Sequence, residues 1–263
     1  MKCALVTGAG GGMGKSTVAL LMKQGYHVFA VDQAAGESTE NCTWLQTDIT
    51  DEESVRQAME KVSRMTAGLD AIIHFAGIYM LDSLVELENR DFEKIFAVNV
   101  QGAFLVNRTF LPLLGEGSRI LLTTSELAPL DPLPFTGIYA VTKGALDKYA
   151  YSLRMELQLL GIHVSVLRSG AVATGMLGVS TTALDRFCRD TKLYCCNAAR
   201  FKRIVDKVEA RNISTEKLAA RIGKLLAKKR PRFAYHINRN PLLLLLNLLP
   251  KGVQLWIIKQ ILR

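Results

Sequence analysis

Tyr139 and Lys143, in the stretch IYAVTK, stand four residues apart. On a helix that spacing puts both side chains on one face, a turn apart. An unperturbed tyrosine titrates near pH ~10 and is a poor base at neutrality. A neighbouring ammonium stabilises the phenolate and lowers that pKa. The pair reads as a tunable phenol. The plain alternative is a surface Tyr and Lys on an ordinary helix, and the spacing alone does not separate the two.

A second stretch, VTGAGGGMGKS from Val6 to Ser16, ends as a nucleotide-hydrolase phosphate loop ends. That loop requires its first glycine where Ala9 stands, and the G-x-G-x-x-G turn requires a last glycine where Met13 stands. What fits is Thr7-Gly8-x-x-x-Gly12-x-Gly14, directly after an apolar run and opening a helix. Such glycines let the backbone approach a pyrophosphate, which the helix N-terminus then attracts. Lys15 and Ser16 become early helix residues. Asp32, which closes VFAVD, can accept hydrogen bonds from an adenosine ribose and repels a 2′-phosphate. No Arg or Lys follows closely, so the expected cofactor is NAD rather than NADP. Asp48 in LQTDIT either faces the adenine or caps the following helix. No metal site is expected.

These residues need a scaffold. Short apolar runs at Lys2–Thr7, His27–Val31, Ala71–Phe75, Ile120–Thr123 and Ile162–Leu167 read as buried strands. Cys42–Gln46 is a weaker candidate, and Phe233–Ile237 fits a last strand. Helical periodicity lies near 14–24, 51–66, 91–113, 138–160 and 214–229. This alternation predicts an α/β fold: one Rossmann-type, doubly wound parallel sheet of about seven strands, with helices on both faces. The domain covers 1–237, with a long irregular insertion at about 174–212. A hydrophobic tail, 238–263, follows.

Composition sets further bounds. With 263 residues, 49% of them hydrophobic, the chain can bury a sizeable core. Its five cysteines, odd in number and without a CxxC, argue against a disulfide framework and suit a reducing cytoplasm. The N-terminus does not read as a signal peptide. The net charge of +9 is uneven: residues 200–263 hold 16 Lys+Arg against 3 Asp+Glu, the remainder 17 against 21. No nucleic-acid motif accompanies the basic end.

In order along the chain, TGAGGGMG, Asp32, TDIT, HFAG, VNV, TTS and YAVTK resemble the short-chain dehydrogenase/reductase family, over about residues 2–237. The resemblance implies a nicotinamide-dependent enzyme interconverting a secondary alcohol and a ketone. Tyr139 would exchange a proton with the substrate oxygen, and Ser125 would hydrogen-bond the same oxygen. Lys143 would bind the nicotinamide ribose and hold down the tyrosine pKa. Asn99 would hold a water linking Lys143 to a proton relay. Thr7, Gly8, Gly12, Met13, Gly14, Asp32, Asp48, Ile49, Ala76, Gly77, Asn99, Tyr139, Lys143, Gly170, Val172 and Thr174 would contact the cofactor. Ser125 lies 14 residues before Tyr139 where the family commonly has 13, so an insertion in ELAPLDPLPFTGI is assumed and Thr124 is the fallback. His74-Phe75 replaces the family's paired asparagines, and Ser169-Gly170 its Pro-Gly. His74 fits a core or strand-end role better than that of a ligand.

Met176, Leu177, Val179, Leu184, Phe187, Leu193 and Tyr194 would line a lipophilic substrate site, steroid-like or retinoid-like. The tail PLLLLLNLLPKGVQLWIIKQILR is too interrupted for a bilayer span. It reads as two short apolar helices that lie on a membrane surface or flank the pocket, with KLLAKKRPR supplying cations. Tails of this kind resemble those of hydroxysteroid and retinol dehydrogenases in the family. A dimer-interface or core helix is the alternative, and the resemblance implies a homodimer or homotetramer. The other functional readings are a 3-oxoacyl-carrier-protein reductase and a catalytically silent dinucleotide-binding scaffold.

Overall fold

The computed structural model describes residues 1–263, apart from the side chains of 176–181 and 208–209. Seven parallel strands form one sheet in the order β3-β2-β1-β4-β5-β6-β7. They are β1 (Lys2–Thr7), β2 (Tyr26–Asp32), β3 (Cys42–Gln46), β4 (Leu69–His74), β5 (Leu114–Ser125), β6 (His163–Ser169) and β7 (Ala234–Ile237). β1 pairs with both β2 and β4, so the strand order reverses there. A crevice opens at such a switch point, beyond the carboxyl ends of the strands.

Continuous apolar strands imply cover on both faces. On one face α1 (Gly12–Lys23) and α8 (Thr215–Leu226) bring Val18, Leu21, Leu218 and Ile222 against Ala4, Val28 and Ile73. On the other, α2 (Glu52–Ser63), α4 (Gly102–Phe110) and α5 (Gly137–Leu157) pack Val55, Val106, Phe110 and Leu146 against Leu5, Phe29 and Ile72. Local chemistry sets the helix starts. Asp51 accepts the Glu53 N–H and caps α2, and Ser214 does the same for α8 through Lys217. α1 starts after Gly11 with no side-chain cap, which leaves its first N–H groups available to a ligand. α3 (Asn89–Phe96) runs into a π-helical turn, Ala97–Gln101, before α4.

The segment expected to be irregular is instead helical. It forms α6 (Gly175–Asp190) and α7 (Cys195–Glu209). Leu184, Phe187, Ala198 and Phe201 recur at helical spacing and form a separate small core with Leu81 and Leu262. Phe135 is the keystone. It adopts φ 64°, a left-handed backbone that a bulky residue avoids. Ring contacts with Phe187, Tyr194 and Phe201, at centroid distances of 4.7, 5.2 and 5.4 Å, hold it there.

The tail forms α9 (Pro241–Asn247) and α10 (Lys251–Leu262). Among the described residues no helix is long and apolar enough to cross a membrane. The cations of KLLAKKRPR do not share the tail's location. Arg119, at the start of the β5–β6 pairing, donates to the Lys228 carbonyl. Arg154 donates to the Pro231 carbonyl. β7 then crosses the sheet in parallel before the tail begins at the opposite edge. All five cysteines are free thiols.

Candidate active site

The glycine turn is dictated by contact. Gly8 has φ +68°, and a Cβ there would lie 2.5 Å from the Ala76 nitrogen. A Cβ on Gly14 would meet the Gly8 carbonyl at 2.1 Å, and one on Gly12 would meet Thr174 at 3.1 Å. Thr7 is buried, and its hydroxyl accepts the Ala76 N–H at 3.4 Å, joining the ends of β1 and β4. Asp32 folds back over the turn. Its Oδ2 accepts the Gly10 N–H at 2.8 Å and its Oδ1 the Ala34 N–H at 3.0 Å. The turn, the α1 N-terminus with Met13, and Asp32 thus form one cradle that fits a dinucleotide. Lys15 is an exposed α1 residue, and the Ser16 hydroxyl donates to Thr215 on α8.

Asp48 and Ile49 sit one strand further out. Asp48 Oδ1 accepts both the N–H and the hydroxyl of Thr50, forming the turn into α2, while Asp51 is the cap. Ile49 is buried against Gly102, where a Cβ would lie 2.5 Å from its Cδ1.

The reacting groups meet at the carboxyl end of the sheet. β5 ends in Ser125, whose hydroxyl accepts the Leu127 N–H at 3.2 Å and hydrogen-bonds Tyr139. Thr124 points away, towards Asp147, to which its hydroxyl donates at 3.3 Å. Both residues line the same cavity. Gly137 opens α5, which places Tyr139 in its first turn and Lys143 one turn later. The Lys143 Nζ donates to the Thr123 carbonyl at 3.2 Å and lies 5.7 Å from the Tyr139 ring centre. A Cβ on Gly77 would approach both the Lys143 Nζ, at 3.4 Å, and the Asn99 Oδ1, at 3.1 Å.

Asn99 lies in the π-helical turn, a wide turn that redirects a side chain inward. Its Oδ1 accepts the Ile78 N–H at 2.8 Å. Its Nδ2 donates to the Ile78 carbonyl at 3.0 Å and to Thr142 at 3.1 Å. The side chain therefore clamps the loop after Gly77 to α5. His74 is a core residue: its Nε2 pairs with Asn107 Oδ1 at 2.9 Å, and Asn107 donates to Tyr149. Burial pushes the His74 pKa down to about 4.

Electrostatics here differ from the sequence expectation. Burial is the largest influence on both members of the pair. It pushes the Tyr139 phenol above its ordinary value, with the neighbouring Tyr79 adding to the rise and the Ser125 hydrogen bond offsetting part of it. Burial also pushes the Lys143 ammonium down, to about 8. A desolvated ammonium is costly, and the partners described for this one, the Thr123 carbonyl and the Tyr139 ring, are both uncharged. Tyr139 thus rests protonated, and Lys143 is the group that titrates near neutrality.

Tyr139, Lys143, Ser125, Gly77, Gly170, Val172 and Thr174 all line one cavity of about 550 Å³. Gly170 is fixed by close approach, since a Cβ there would lie 2.0 Å from the Asn238 carbonyl. The remaining wall is largely apolar, and the expected residues whose side chains are described do not supply it. Leu184 and Phe187 are buried in the small core of α6 and α7, Leu193 is exposed and Tyr194 meets Phe135 edge-on. Met176, Leu177 and Val179 lie outside the described side chains. Phe201, Ile204 and Val205 of α7 line the cavity instead, with Leu243, Leu246, Leu249 and Ile258 of the tail. Their three-and-four spacing was the available signal. A charged residue of the wall was missed. Glu126 lines the cavity beside Ser125, and its Oε2 accepts the Asn240 N–H at 2.6 Å, where α9 begins. Burial raises its pKa.

Comparison with known proteins agrees with this geometry. The family model for short chain dehydrogenases matches residues 2–185. A 3-ketodihydrosphingosine reductase of Bacteroides thetaiotaomicron is 26% identical, over 87% of this chain and 85% of its own. Estradiol 17-beta-dehydrogenase 2 of Mus musculus is 31% identical over 72% of this chain, which spans 55% of that longer protein. A solved short chain dehydrogenase family protein from Francisella tularensis shares the fold, with a TM-score of 0.75 at 21% identity, covering 90% of this chain and 97% of its own.

Proposed function

The chain belongs to the short-chain dehydrogenase family, whose members are oxidoreductases that bind a nicotinamide dinucleotide, and on that premise we propose that it interconverts a lipophilic secondary alcohol and its ketone with NAD. The observation that carries this reading is the shared cavity: Tyr139, Ser125 and Lys143 open into a space walled by leucine, isoleucine and phenylalanine. A steroid-like, retinoid-like or long-chain ketone suits such walls, because apolar surface leaves water on binding. Two relatives whose names specify a sphingoid ketone and an estrogen support the same class.

The cofactor would lie from the Asp32 cradle to Gly170 and Thr174 and would supply the hydride. The chain's own residues handle the proton. In ketone reduction the Tyr139 hydroxyl donates to the carbonyl oxygen, and Ser125 donates a second hydrogen bond to it. The Lys143 ammonium lowers the cost of leaving a phenolate behind. In alcohol oxidation the same proton returns to Tyr139.

The titration of Lys143 sets the pH dependence of reduction. Its ammonium is charged below about 8 and lost above. Reductive kcat/KM is therefore level below pH 8 and falls about tenfold per unit above it. Lys143→Arg keeps its proton and removes that fall. A fall that persists unchanged near pH 8 in this variant would assign it to another group.

Asp32 makes the case for NAD. Its carboxylate stands over the turn where the adenosine ribose would lie, and a 2′-phosphate would face like charge. NADH binds at least about tenfold tighter than NADPH, and Asp32→Ser removes most of that preference. Fluorescence titration of the two reduced cofactors measures it. Equal binding by the unaltered protein overturns the assignment. A screen of hydroxysteroids, retinoids and long-chain ketones for a change in reduced-cofactor absorbance tests the substrate class.

A further inference from the structure

The two tail helices roof the cavity, and their outer faces are also apolar. Leu242, Leu245 and Leu248 follow at three-residue steps along and just beyond α9, and all three are exposed, Leu248 to 82%. On α10, Leu255 and Trp256 are exposed, Trp256 to 63%, while Gln254 and Leu262 are buried. Leu242, Leu245 and Ile261 are more than half exposed and yet line the cavity. The cavity wall and the outer apolar face are therefore one continuous surface.

Charge indicates what this surface meets. Residues 238–263 contain Arg239, Lys251, Lys259 and Arg263 and no acidic residue. Lys259 and Arg263 continue the Leu255–Trp256 stripe at helical steps and are exposed. Lys251 pairs with Asp131 across the loop after β5. A two-fold pairing of this face with a second copy would bring these cations together. An anionic lipid surface would instead neutralise them. Tryptophan with flanking leucines and cations is the composition of a helix lying at the headgroup boundary.

We propose that the α9–α10 face docks on an anionic bilayer and that the cavity receives its substrate directly from the lipid. The docking half stands by itself; the delivery half rests on the lipophilic-substrate reading above. The cations at 228–230 take no part, since β7 separates them from this face.

The test uses the full chain and vesicles of mixed phosphatidylglycerol and phosphatidylcholine. In a Trp44→Phe background, Trp256 fluorescence shifts to the blue on adding these vesicles, and the protein sediments with them. Leu248→Asp with Leu255→Asp, neither residue lining the cavity, weakens binding at least about tenfold. Lys228→Gln with Lys229→Gln and Arg230→Gln leaves it unchanged. With a water-soluble ketone the Leu248/Leu255 variant keeps its rate; with a ketone carried in the vesicles its rate falls with the binding. Equal vesicle binding by that variant, or none by the parent, overturns the docking. A concentration-dependent dimer that the variant disperses, with no vesicle binding, assigns the face to a second copy instead. Vesicle binding without turnover of any ketone leaves docking standing and overturns the functional reading. Equal rates on the vesicle-borne ketone overturn direct delivery alone.

Discussion

Replacing Tyr139 by phenylalanine lowers kcat at least about 10²–10⁴-fold in both directions, the size of a positioned acid–base contribution. The cofactor affinity barely changes. Removing one oxygen leaves the ring, and the ring is what touches Tyr79, at 4.8 Å between centres. The Asp32 cradle and the α1 N-terminus lie on other elements and keep their geometry. Steady-state rates together with NADH titration separate the two effects. The loss exceeds that of Ser125→Ala, because Ser125 contributes a hydrogen bond to the reacting oxygen while Tyr139 moves its proton. A Phe variant that turns over at the parental rate removes Tyr139 from the chemistry. So would one whose rate loss tracks a matching loss of NADH binding, since the phenol would then only hold the cofactor.

That Tyr139 and Lys143 share one helix face was legible in their spacing, but the sign of the tyrosine shift was not. Spacing fixes which face two side chains share; burial depends on what packs over them. Here Tyr79 and the tail close over the site from distant parts of the chain. The same contrast holds for the fold. The strands read clearly because a sheet covered on both faces needs unbroken apolar runs. The glycine turn read clearly because Gly8 and Gly14 answer to backbone contacts within their own loop and its neighbouring strand. The insertion at about 174–212 did not read as α6 and α7, because charged and small residues dilute its apolar stripe. Its core depends on Phe135, whose left-handed backbone no local pattern announces. Sequence adjacency also misled at residues 228–232. They precede the tail in the chain, but one parallel strand carries the chain across the sheet between them.

Arg168→Met destabilises the protein by about 3–5 kcal/mol, the cost of leaving a buried charge without its partner. Arg168 on β6 forms two parallel hydrogen bonds to Asp147 on α5, at 2.9 and 2.6 Å. Both side chains are largely shielded, at 16% and 9% exposure. Thr124 also donates to Asp147, and the Arg168 guanidinium lies over the Phe233 ring. Asp147 is one turn beyond Lys143, so this pair fixes the helix that carries both reacting groups to the strand beside Ser169. Without Arg168, the carboxylate is left buried without its charged partner. Asp147→Leu combined with Arg168→Met restores much of the loss, because an apolar pair has no charge to desolvate. Chemical denaturation of the two single variants and the double variant measures the coupling. Additive losses would show that the two charges are solvated independently and that α5 is held by its apolar face alone. A strong coupling would instead make this ion pair a device for position. Leu146 and Ala150 on α5 bury well against the sheet without it; the Arg168–Asp147 fork, together with the hydrogen bonds of Lys143 to the Thr123 carbonyl and of Arg154 to the Val164 carbonyl, fixes the helix in register, and register is what keeps Tyr139 beside Ser125.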